Sequence, residues 1–153
     1  MYPMSIVLDP QEAAINRGIK TVGVGKKGSK SLTPELAQEI LEDLKAGKVS
    51  SAAQGAFFAG LLAKGADAQE KILAEAFAPG VFEDSRKLVD SIAWDAPEFV
   101  RWVCVQLLNG QTLDKKTAFD LGQFLFSSQP GDGARGLVAS RLASGLREHR
   151  RCC

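Results

Sequence analysis

From Thr33 to Leu142 the apolar residues of this chain return at every third or fourth position, and nowhere do they alternate for long. That spacing gives helices with one buried stripe and leaves no strand from which to build a sheet. Cap and stop signals cut the pattern into rods of about 10–15 residues joined by short loops. Thr33–Pro34 opens the first, with a hydroxyl to cap and a proline where a missing N–H costs nothing. Leu36, Ala37, Ile40, Leu41 and Leu44 share its inner face, and Gly47 stops it. Ser50 or Ser51 opens the second, with Ala53, Phe57, Phe58, Leu61 and Leu62 inward and Lys64–Gly65 at its end. Gly55 and Gly60 weaken that helix, which predicts close approach of another backbone. Asp67 caps a third, with Ile72, Leu73, Ala76 and Phe77 expected inside. A fourth covers Glu83–Ile92. A fifth opens at Asp95 and Pro97 and carries Phe99, Val103 and Leu107 as far as Asn109–Gly110. The sixth runs from about Asp114 to Phe126 with Ala118, Leu121, Phe124 and Leu125. The seventh starts near Pro130 or Asp132 and carries Leu137, Val138 and Leu142.

The pattern therefore predicts an all-α bundle of about seven helices over residues 31–147. Residues 1–30 read as an irregular, basic, flexible arm, with a short helix over 9–17 started by Asp9 and Pro10. Residues 148–153 read as a disordered tail. Residues 31–62 also echo residues 112–142 at an offset of 81: Leu32 falls on Leu113, Ala37 on Ala118, Ile40 on Leu121, Leu44 on Leu125 and Gly55 on Gly136. Two copies are too few for a solenoid. Two similar hairpins packed face to face is the simpler solution, although amphipathic hairpins match one another at many positions through periodicity alone.

A chain of 153 residues can bury one core without metal or disulfide staples. Its net charge of +1 gives no general attraction to nucleic acid or anionic lipid, so any basic function is local. No apolar run is long enough to span a bilayer, and the start lacks the pattern of a secretory signal. Three cysteines without regular spacing point to a reducing, cytoplasmic setting. A lone His149 and no CxxC pair argue against a zinc site, and no cofactor is implied.

One motif asks for a phosphate. Gly23, Gly25 and Gly28 spell G-x-G-x-x-G, with Lys26, Lys27 and Lys30 beside them. A dinucleotide fingerprint needs a strand before it, a helix directly after it and an acidic residue on the next strand. Ile19–Val22 is a poor strand, the helix waits until Pro34, and Glu42 and Asp43 lie inside that helix. Gly28 is followed by Ser29 rather than Lys, which excludes a Walker loop. Two readings remain: a solvated basic arm, or an arm whose free N–H groups and lysines touch an anion. Lys26, Lys27, Gly28 and Lys30 are the candidates. Arg135 in QPGDGARG is a further one, although Asp132 there suits a turn and helix cap better than an anion.

The other clusters read as structure. Trp94, Phe99 and Trp102 have core spacing, Cys104 lies between valines, and Glu35, Glu39, Glu42 and Asp43 form a solvated face. With His149 alone in a polar tail there is no nucleophilic set, so no catalytic residue is assigned. The closing LREHRRCC breaks in composition from the helix before it, as a shifted or truncated reading frame would.

LTPELAQEILEDLKAGKVSSAAQGAFFAGLLAKGADAQEKILAEAF, residues 32–77, resembles the N-terminal helical domain of the anthranilate phosphoribosyltransferase and nucleoside phosphorylase superfamily (glycosyltransferase family 3). The shared features are LT-x-x-x-A opening the first helix, a G-x-V-S turn, an A-x-F second helix, a K-G turn and a third helix. VGVGKKGSKSL is similar to the entry segment of anthranilate phosphoribosyltransferase-like proteins. The resemblance implies a helical domain that packs on a larger α/β domain and supplies a dimer interface. That α/β domain holds phosphoribosyl pyrophosphate through GTGGD and KHGNR-like segments with acidic residues for magnesium, and none of these occurs here. The expected role is thus a helical domain or fragment, non-catalytic alone, serving dimerisation or docking to an α/β phosphoribosyl-transfer domain. The alternative is a small module that binds nucleic acid or another polyanion through basic residues 20–30.

Overall fold

Eight helices follow one another: α1 Ala14–Val22, α2 Pro34–Lys45, α3 Ser51–Lys64, α4 Ala68–Phe77, α5 Ser85–Ile92, α6 Glu98–Leu108, α7 Lys115–Leu125 and α8 Asp132–Cys152. The computed structural model describes residues 13–23 and 30–152, with the backbone alone over 143–152. Among the described residues there is no strand.

The helices start and stop where local chemistry sets them. Thr33 Oγ1 accepts from Leu36 N, Ser50 Oγ from Ala53 N, Asp67 Oδ1 from Glu70 N and Asp114 Oδ1 from Thr117 N. Each satisfies one donor that a helix start leaves unpaired. Asp67 and Glu70 complete a reciprocal capping box, since Asp67 N donates back to Glu70 Oε1 at 2.9 Å.

α3 and α8 form the central pair and share the most extensive contact in the fold. α1, α2 and α4 gather around α3 and α2, while α5, α6 and α7 gather around α8 and α6. Phe57, Phe58 and Leu61 of α3 and Leu137 and Val138 of α8 are fully buried between these groups. The central helices approach backbone to backbone. A Cβ at Gly55 would lie 2.2 Å from Gly133 O, and one at Gly136 would lie 2.0 Å from Ala52 O.

These two contacts are one contact seen twice. α2 and α7 start 81 residues apart, as do α3 and α8. At that offset Gly55 corresponds to Gly136, and Ala52 to Gly133, so exchanging the halves turns the first contact into the second. The caps repeat as well, with Thr33 bonded to Leu36 N and Asp114 to Thr117 N. The two consecutive helix pairs, α2–α3 and α7–α8, are thus related by an approximate two-fold exchange through the α3–α8 contact, although the helices within each pair pack on other elements rather than as the expected hairpins.

Several expectations change. Residues 14–22 are not irregular: Ala14, Ile15 and Val22 are buried where α1 packs on α3 and α2. Ile15, Ile19 and Val22 make a helical stripe, and Gly18 lets Ile40 and Phe57 come close rather than breaking the rod. Residues 9–12, with the predicted cap at Asp9, lie outside the described residues. In α4 the inner face is Glu70, Leu73 and Ala74, while Ile72 and Ala76 face solvent. The polar Glu70 hides that phase from a purely apolar count. Leu142 is exposed, and α8 continues as helix through residues 148–152.

Candidate functional site

Of the phosphate candidates, only Lys30 and Arg135 are among the described residues. Lys26, Lys27 and Gly28 lie outside the described residues. Lys30 is exposed at the end of that stretch, its backbone N–H donating to Thr21 O of α1 at 3.0 Å. Arg135 sits in the first turn of α8, and no contact links it to Lys30. Its guanidinium donates to Phe124 O at 3.1 Å, Leu125 O at 3.3 Å and Ser127 O at 3.0 Å, and pairs with Asp132 at 3.2 Å. It also lies 4.4 Å from the centre of the Phe124 ring. Phe124 and Leu125 end α7, and Ser127 lies in the turn that follows it. In this structure Arg135 closes α7 onto α8, with its donors turned inward.

Glu70 carries the most demanding polar chemistry in the molecule. Its carboxylate is fully buried. It accepts from Leu32 N at 3.0 Å, Asp67 N at 2.9 Å and Lys64 Nζ at 2.7 Å. A buried charge needs this degree of pairing. The site ties the entry to α2, the end of α3 and the start of α4, and all its acceptor positions face protein groups. It is a clamp, not a catalytic acid. The D-x-x-E of residues 67–70 was the signal available in the sequence.

Cys104 is buried, and burial pushes its thiol up to about 12. Such a thiol is inert as a nucleophile at neutral pH. No group of three or more His, Cys, Asp or Glu capable of holding a metal occurs among the described residues.

The feature that asks for a partner lies between α6 and α7. The expectation that Phe99, Trp102 and Trp94 belong to the core is overturned: Phe99 is 44% exposed, Trp102 is 56% exposed, and Trp94 is also exposed. The buried stripe of α6 is Val100, Val103 and Cys104 instead. Phe99, Trp102 and Gln106 share the adjoining flank, and the glutamine was the sign that this flank faces outward. With α7 they line a groove of about 740 Å³. Val103 and Phe124 form its apolar floor, while Gln106, Asp120 and Gln123 supply polar edges. One side of Trp102 is held by Arg86, 4.7 Å from the ring centre. Arg86 is itself fixed by Asp90 and Glu98, both at 2.8 Å, and Arg101 bonds Glu98 from the next turn of α6. The hydrogen-bonded Arg86 holds the Glu98 carboxyl below the usual carboxylate range. A large aromatic surface is therefore presented in a fixed position.

No family model, characterised protein or solved structure matches this chain. Among the described residues, no helix is long and apolar enough to cross a membrane.

Proposed function

We propose that this chain is a helical docking domain of an anthranilate phosphoribosyltransferase-like protein, non-catalytic alone. It would serve self-association or attachment to an α/β phosphoribosyl-transfer domain. The observation that carries this reading is the α6–α7 groove, with Phe99 and Trp102 exposed over an apolar floor and polar groups around it. Exposed aromatics with an apolar centre and polar rim are the composition of protein interfaces rather than of open surface. Two further facts support it. The stretch that resembles the family, residues 32–77, coincides with α2, α3 and α4. The groove is also held in place, since Arg86 is fixed by Asp90 and Glu98 against the Trp102 ring.

The test is sedimentation velocity over a range of concentrations, on the native chain and on Trp102→Ser. Reversible self-association that weakens in Trp102→Ser supports the reading, as does a stable complex with an added α/β phosphoribosyltransferase domain that Trp102→Ser disrupts. A native chain that stays monomeric at high concentration and forms no such complex would overturn it.

A further inference from the structure

The two-fold exchange exposes a second surface, on the opposite flank of α7 from the groove. In the first half the chain reverses at Gly65, whose φ is +93°, and returns as α4 across the outer flank of α2. Ala37, Gln38 and Leu41 of α2 there face Gln69, Ile72 and Leu73 of α4. In the second half α8 does not reverse at the matching place but runs straight on to Cys152. Among the described residues, nothing lies on α7 as α4 lies on α2.

The side chains record the difference. Leu32, Ala37 and Leu44 are buried, whereas their counterparts Leu113 and Leu125 are half-buried and Ala118 is exposed. Gly122, the counterpart of Leu41, faces open space, and a Cβ built there meets nothing within 4 Å. The same flank carries Phe119, 65% exposed, and Phe126, 95% exposed. In the first half the Leu32 N–H is taken by Glu70 of α4. The corresponding Leu113 N–H has no partner among the described residues, and the exposed Lys115 and Lys116 stand beside it.

We infer that the outer flank of α7 is a docking site for one amphipathic helix of the α4 kind, supplied by a partner chain. Its first turn carries a carboxylate, which meets the Leu113 N–H and Lys115. Its next turns carry small and branched apolar residues, which cover Ala118, Phe119, Gly122 and Phe126. Lys115 and the Leu113 N–H select an acidic first turn: a basic one would oppose Lys115 and leave the N–H unpaired. Lys116 is already paired with Asp120 at 3.4 Å. This site is separate from the α6–α7 groove and does not depend on it.

The probe is a fluorescein-labelled peptide of residues 65–79, GADAQEKILAEAFAP, titrated with the full chain and read by anisotropy. Saturable binding below about 1 mM is expected, weakened about tenfold or more in Phe119→Asp and by a Glu-to-Lys change at the peptide's Glu70 position. Trp102→Ser, which alters only the groove, should bind the peptide normally, so the two surfaces succeed or fail separately. Circular dichroism shows that each variant is folded. No saturation by about 1 mM would overturn the proposal, as would unchanged binding in a folded Phe119→Asp. So would a dimer that Phe119→Asp dissolves while the peptide does not bind, because the flank would then belong to a second copy.

Discussion

Replacing Glu70 by alanine should be among the most damaging single changes in this protein. The substitution leaves Leu32 N–H and Asp67 N–H without their acceptor, and strands Lys64, whose side chain is only 11% exposed. Breaking a buried ion pair by removing one partner costs about 3–5 kcal/mol. In a domain of this size that lowers the melting temperature by roughly 6–20 °C. Glu70→Gln separates the parts of this cost. Its single oxygen can keep Asp67 N–H and Lys64, but its amide nitrogen then meets Leu32 N–H, donor against donor. A loss of about 1–3 kcal/mol is expected. Lys64→Met in the Glu70→Gln background should cost less than the sum of the two changes, with a coupling of about 0.5–3 kcal/mol. Urea unfolding followed by circular dichroism gives all four free energies. If Glu70→Ala falls within about 0.5 kcal/mol of the native chain, the value of an ordinary surface change, the clamp does not hold these helices together.

Gly136→Ala places a Cβ 2.0 Å from Ala52 O and should destabilise by about 1–3 kcal/mol or more, whereas Gly122→Ala meets nothing and should stabilise by about 0.5–1 kcal/mol; thermal melts distinguish the two directions. The backbone N–H of Glu70 holds the Asp67 carboxyl below its ordinary 3.8, and that of Thr117 does the same for Asp114. The unfolded chain binds more protons in that range, so this stabilisation is complete above the ordinary value and is lost as pH falls through the lowered native values. Melting temperatures between about pH 2 and 5 should show the fall, and Asp114→Asn should flatten part of it. Cys104 should resist alkylation at neutral pH until the chain unfolds, as peptide mapping by mass spectrometry can show.

The sequence made the helices legible because the starts of α2, α3, α4, α5 and α7 carry a side-chain cap and the stops a glycine or a break in the stripe, and those interactions are local. It made the echo between the two helix pairs legible for the same reason. It failed where inside and outside are decided by a neighbour. Ile72 fits a helical stripe, but Glu70 turns that stripe by finding Leu32, distant in the chain, and Lys64 across the α3–α4 turn. Phe99 and Trp102 look like core by type, and only the packing of α6 on α8 through Val103 and Cys104 leaves them outside. Ala118 repeats Ala37 in sequence, yet its burial depends on a helix like α4, which has no counterpart on α7 among the described residues. The donors of Arg135 close a helix end, a role its place in QPGDGARG did not reveal.

A contact that returns to itself when its halves are swapped is the kind two identical separate chains would make. A single helix pair carrying one such small-residue patch could have met its twin through the same surface. Joining the pair in one polypeptide turns an encounter that depends on dilution into one that does not, at an effective concentration of about millimolar. The two halves differ in their covers: α4 lies on α2, and among the described residues no helix lies on α7 in the same way.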